Sequence, residues 1–283
     1  MQRPLVGTLV VDFSRYLPGA FAGAELLRLG ARVIRVERPG GDPMRTTAPE
    51  WYGLLHAGKE EADWTQGPEL LAQADVVLES FRPGVAGQLG IGPDAAPETT
   101  VYCSITGFGV GGVHEQRAGH DLNYLGWAGV LEPTAPALPP VQVADLAGGA
   151  LGAVTEILAA LLERTRTGKG ARIVVSMTHN AHKLASRAPV LTRGFACYRM
   201  YGTSDGRHLT VAALEPKFFI RLCELVGKPH LAERQYDAGQ SALAAALEEI
   251  FAQRTLADWL ALFDGEDVCV GPVATLAEAD ATL

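Results

Sequence analysis

Short apolar runs alternate with longer amphipathic ones through the first hundred residues. TLVVDF (8–13), ARVIRVE (31–37), DVVLESF (75–81) and TVYCSITGFG (100–109) have strand length and are rich in β-branched residues. GAFAGAELLRLG (19–30) and GPELLAQA (67–74) carry helical spacing between them. Strands that are apolar on both faces, joined by helices and short loops, predict a parallel sheet covered on both sides. Such sheets bind ligands beyond the carboxyl ends of their strands. The loops after Asp12, Glu37, Phe81 and Thr106 are therefore where function is expected.

A long helix is predicted over 146–170, stopped by Gly168 and Gly170, with basic residues in its last turns where the helix dipole favours them. ARIVVSM (171–177) reads as a further strand. From about residue 187 the pattern changes. YRMYGTSDGRHLTVAAL predicts a hairpin turning at Asp205-Gly206, followed by two helical segments, PKFFIRLCELVG and SALAAALEEIFAQRTLADWLALF. The expected fold class is α/β: a large Rossmann-like parallel-sheet domain over 1–186 and a smaller α+β domain over 187–283.

Composition narrows the functional classes. The chain has 283 residues, 48% of them hydrophobic, and a formal net charge of −8, so neither nucleic acid nor a membrane surface is an expected partner. No unbroken apolar run reaches the roughly 18 residues of a membrane span, and MQRPLVGTLVVDF lacks the layout of a signal peptide. The four cysteines are far apart and read as buried free thiols of a reducing compartment, which makes the expected location cytoplasmic.

The short motifs mostly point away from familiar chemistries. GFGVGG (107–112) fits G-x-G-x-x-G after a strand, but it leads into polar VHEQRAGH rather than a helix, which argues against dinucleotide binding. There is no G-x-S-x-G nucleophile elbow. HNAH (179–182) has two histidines at helical spacing but no third ligand nearby, so no metal site is expected. The basic residues say more: Arg35, Arg38 and Arg45 bracket the loop after the second strand, and Arg82 follows the third, at the edge where a phosphate-bearing ligand would sit. AGHDLNYL (118–125) sets His120 beside Asp121 at the lip of an apolar run.

Taken together, VVDFSRYLPGAFAGAELLRLGARVIRVERPGGDPMR, ADVVLESFRPGVAGQLGIG, SITGFG, AGHDLNYL, ADLAGG and LLERTRTGKG resemble the family III coenzyme A transferases (the CaiB/BaiF group) over most of the chain. AGHDLNYL and VAALEPKFF look like the α-methylacyl-CoA racemase branch. The resemblance implies a homodimer of interlocked chains acting on acyl-CoA thioesters, with no cofactor beyond the CoA moiety of the substrate. It places the catalytic roles on His120, Asp145 and Glu215, and nucleotide contacts on Arg38, Arg82 and Lys59.

The chemistry of epimerisation suits that set. A 1,1-proton transfer needs a base on one face of the α-carbon and a proton donor on the other, with the enolate oxygen stabilised. The resemblance gives His120 one face, oriented by Glu215, and gives Asp145 the other, with unpaired N–H groups of the turn after Asp145 on the oxygen. Two alternatives are a CoA transferase that passes CoA between carboxylic acids through an acyl-Asp145 intermediate, and a catalytically reduced acyl-CoA-binding homologue. The sequence departs from the family at HAGKEEADWTQG and after SMTHNAHKL, and the family's C-terminal return segment has no counterpart in it.

Overall fold

The computed structural model describes residues 3–282 and divides into two compact units, one running to Ala185 and the other starting at Ser186. In the first unit a parallel sheet of β1 (Leu9–Asp12), β2 (Arg32–Val36), β3 (Glu60–Ala62), β4 (Val76–Glu79), β5 (Val101–Thr106) and β6 (Arg172–Ser176) runs in the order β3-β2-β1-β4-β5-β6. The longer helices are α1 (Tyr16–Arg28), α2 (Pro49–His56), α3 (Gly67–Gln73), α4 (Asp121–Trp127), α5 (Ala144–Thr167) and α6 (Met177–Leu184).

Successive strand residues point to opposite faces. Val10, Val76 and Val101 therefore join one buried cluster, with Leu26 of α1 and Ile157 of α5, while Val11, Val77 and Tyr102 join another, with Leu71 of α3. Both faces are covered, which is why these strands read as unbroken apolar runs. The chain leaves β1 for β2 on one side and returns to β4 on the other, so a crevice opens between the carboxyl ends of β1 and β4.

Two expectations about helices change. Ala144–Thr167 is one 24-residue helix, long and apolar enough by length and composition to cross a membrane. Asp145 and Glu156 interrupt its apolar run, so counting unbroken residues passes over it. Its buried side, formed by Gly148, Gly149, Ala153 and Ile157 among others, packs within the large unit. Its opening turns, Ala144–Leu151, are wound as π-helix.

In the second unit β7 (Tyr198–Gly202), β8 (His208–Ala212) and β9 (Val270–Pro272) form an antiparallel sheet in that order, the first two joined through Asp205-Gly206. Helices α7 (Pro216–Leu225), α8 (Ser241–Phe251) and α9 (Leu256–Phe263) bury Phe219, Leu247, Phe251 and Trp259 with them. The long second helical segment breaks because Thr255 caps α9, its hydroxyl accepting from the Asp258 N–H at 3.2 Å. Cys103, Cys197 and Cys223 are buried, as expected, but Cys269 is exposed, just before the edge strand β9.

Candidate active site

A cavity of about 430 Å³ occupies the crevice beyond β1 and β4. The chain after β1 contributes Arg15 and Tyr16, that after β4 contributes Ser80 to Pro83, and the end of β5 contributes Ile105 to Gly107. His120 and Asp145, 25 positions apart in sequence, both line it.

His120 stands at the position that caps α4, in extended backbone with φ −128°, and its N–H donates to Asn123 Oδ1 at 3.1 Å. The turn before it is held by the Tyr124 hydroxyl, which donates to the Gly119 carbonyl. The Tyr124 ring lies so close that a Cβ on Gly119 would sit 2.7 Å from it, and one on Gly107 would sit 2.5 Å from it. Gly107, the first glycine of GFGVGG, is therefore a packing residue against an aromatic wall. Gly109, at φ +83°, closes a turn by donating its N–H to Thr106 Oγ1 at 2.9 Å. The imidazole of His120 meets the edge of the Tyr16 ring, with centroids 5.8 Å apart. Tyr16 has φ +63°, in the left-handed region that costs a bulky side chain about 1–3 kcal/mol. That conformation is held by its N–H, which donates to Asp42 Oδ2 at 2.9 Å.

Asp145 projects from the first, π-wound turn of α5. Burial pushes its carboxyl up to about 7, and the negative charge of Asp121 adds to the rise. Asp121 is itself buried, and its Oδ1 accepts the backbone N–H of Asp145 at 3.0 Å. Asp121 also receives the N–H of Ala144, while the Leu146 N–H donates to the Gln142 carbonyl at 2.8 Å. The amides of Ala144, Asp145 and Leu146 are thus already taken, so at Leu146 the expectation of an N–H unpaired for an enolate oxygen is corrected. An acceptor 24 positions upstream leaves no mark in the local sequence.

The basic residues sort by burial. Arg82 is exposed in the cavity. Arg38 lines a neighbouring hollow of about 690 Å³ and stacks on Trp64 at 5.9 Å and Phe81 at 5.7 Å, and Phe81 lines the first cavity as well. Arg35 is only 1% exposed and binds Glu37 at 2.6 Å, where Arg45 reaches the other carboxylate oxygen at 2.6 Å. Burial works to raise the Glu37 carboxyl, but Arg45 and Arg35 together hold it down at about 2. Arg35 and Arg45 therefore shape the loop after β2.

Lys59 is not brought to either cavity. Its Nζ is buried, 3.3 Å from Asp12 Oδ2 and 2.8 Å from the Ala20 carbonyl, so the expectation of a nucleotide contact there gives way to an internal ion pair. Glu215 is exposed at the start of α7 in the second unit. HNAH is accounted for internally: His179 Nδ1 lies 2.7 Å from Ser176 Oγ, and His182 Nδ1 lies 2.9 Å from the Ala128 carbonyl.

Sequence reasoning missed Arg15, Tyr16 and Arg117, which also line the cavity. A signal for the first two was present, since they directly follow the apolar run of β1 at a carboxyl edge. Arg117, stacked on Trp127 at 5.0 Å, lies in a polar loop and had none.

Known proteins match nearly the full length of the chain. The model of CoA-transferase family III matches residues 5–282. The alpha-methylacyl-CoA racemase of Mus musculus is 34% identical over 300 residues, covering 97% of this chain and 79% of its own length. The human succinyl-CoA:glutarate CoA-transferase is 32% identical, covering 96% of this chain and 72% of its own length. The crystal structure of a CaiB/BaiF family protein from Brucella suis superposes with a TM-score of 0.81 at 31% identity, covering 99% of this chain and 86% of that one.

Proposed function

The chain belongs to CoA-transferase family III, a family of racemases and CoA transferases, and on that premise we propose that it epimerises 2-methylacyl-CoA thioesters by 1,1-proton transfer through an enolate. One observation carries this reading: an imidazole and a carboxyl held near neutrality line the same small cavity from two different elements. A carboxyl at about 7 is divided between acid and base at working pH, as a group that must both give and take a proton requires.

In the proposed reaction His120 takes the α-proton on one face and Asp145 returns one on the other, with the roles exchanged for the opposite hand of substrate. Glu215 is taken as the third catalytic residue of the set. Arg38 and Arg82 would hold the nucleotide end of CoA, which is the only cofactor-like group the reaction uses. The reading also takes the protein to be a cytoplasmic homodimer.

The test is exchange of the α-hydrogen of 2-methylacyl-CoA in deuterated water, with the two hands followed separately. Wild type should exchange and interconvert them, and His120→Ala and Asp145→Ala should each slow interconversion by about 10²–10⁴. A wild type that exchanges nothing but passes CoA to a carboxylic acid is a transferase. Interconversion that survives His120→Ala at near wild-type rate removes the two-base assignment.

A further inference from the structure

The mechanism uses His120 and Asp145 and leaves Asp121 without a task. Asp121 is 7% exposed, and a carboxylate is not buried without partners to hold its charge. Its partners are the N–H of Asp145, at 3.0 Å, and that of Ala144. Both belong to the opening turn of α5, where amides are unpaired by the helix itself and the dipole favours an anion. Asp145 grows from that same turn, yet its own carboxyl accepts no hydrogen bond among the described residues. Two carboxyls thus share one helix start, and only one of them has donors.

Unequal partners decide which group keeps a proton, because the carboxyl with donors ionises first and its charge then opposes ionisation of the other. We propose that Asp121 is a positioning residue for Asp145: its buried carboxylate pins the backbone that carries Asp145 and sets a fixed negative charge beside the Asp145 carboxyl. The device makes Asp145 a proton carrier, and its relevance to turnover rests on the reading of Asp145 as the group that returns the α-proton.

Other charges face Asp145 across the cavity. Arg15, Arg82 and Arg117 favour its ionised form, Glu115 opposes it, and His120, Tyr16 and Tyr124 complete the titratable groups around it. The arginines are half-buried or exposed and screened by water, whereas the Asp121 charge is shielded from it. The direction of the rise at Asp145 agrees, with burial the larger cause and Asp121 the second.

The experiment needs no substrate, so its outcome is independent of whether the protein racemises anything. Protein carrying ¹³C at the aspartate carboxyls is titrated by NMR, with Asp145→Asn and Asp121→Asn used to assign the two resonances. In wild type Asp121 should ionise at lower pH than Asp145. In Asp121→Asn, which keeps an acceptor oxygen and loses the charge, the Asp145 midpoint should fall by about one pH unit. Asp121→Glu, which keeps the charge, should leave that midpoint closer to wild type than Asp121→Asn does. An Asp145 midpoint that is unmoved in Asp121→Asn overturns the proposal. So does a wild-type titration in which Asp145 ionises first, which decides the matter even if the Asn variant does not fold. In active protein the acid limb of the pH–rate profile should move the same way, which a loss of structure alone would not produce.

Discussion

Glu79 ends β4, one residue before the loop that carries Phe81 and Arg82 into the cavity, and it is 5% exposed. Burial lifts its carboxyl from the ordinary 4.5 to about 7, against the opposing pull of the Ser104 hydroxyl and of the Phe81 N–H, which donates to Oε2 at 2.7 Å. A folded-state value above the unfolded one means that the native protein binds this proton more tightly. The associated stability is complete below about pH 4.5 and is lost as pH rises through about 7. At 1.36 kcal/mol per pH unit, the difference amounts to about 3 kcal/mol. Glu79→Gln removes the titration while keeping an oxygen for the Phe81 N–H. Its stability should match wild type near pH 5 and exceed it by up to about 3 kcal/mol at pH 8. Urea unfolding followed by tryptophan emission is suitable, since Trp51, Trp64 and Trp127 all report on the large unit. If wild type and variant lose stability in parallel between pH 5 and pH 8, the Glu79 carboxyl is not the group described.

Arg38→Ala and Arg82→Ala should each weaken binding of CoA by about 1–3 kcal/mol in calorimetry, the scale of a charged hydrogen bond. Lys59→Met should do the opposite: CoA affinity of the folded protein unchanged, but a loss of about 3–5 kcal/mol in urea unfolding, because Asp12 is left buried without its cation.

The large unit's sheet was legible because strands buried on both faces cannot be mistaken for surface segments: Val10 and Val11 are apolar neighbours that serve two different cores. β3 was not legible, since Glu60 and Glu61 occupy an exposed edge where no apolar pattern is required. His120 and Asp145 could be named from the resemblance, but their convergence depends on the turns before α4 and α5 meeting, and that is a tertiary fact. The arginines show the limit most clearly. Arg35 and Arg38 are three residues apart and chemically identical on paper, yet Arg35 lies inside β2 and is consumed by Glu37, while Arg38 lies beyond the strand end over Trp64 and Phe81. Lys59 was misplaced for the same reason, because its partner Asp12 is 47 positions away.

The π-wound start of α5 makes the winding of the chain at this point a functional quantity. A π segment holds an extra residue compared with an α-helix that spans the same ends. Downstream, Gly152–Thr167 is anchored by Ala153, Val154 and Ile157 in the core, so the helix cannot turn as a whole to absorb a change upstream. If Ala144–Leu151 rewound as regular α-helix with no residue removed, the surplus residue would be displaced toward the start and Asp145 would swing through about 100° about the axis. Its carboxyl would leave the cavity, and its amide would leave Asp121, with every side chain chemically intact.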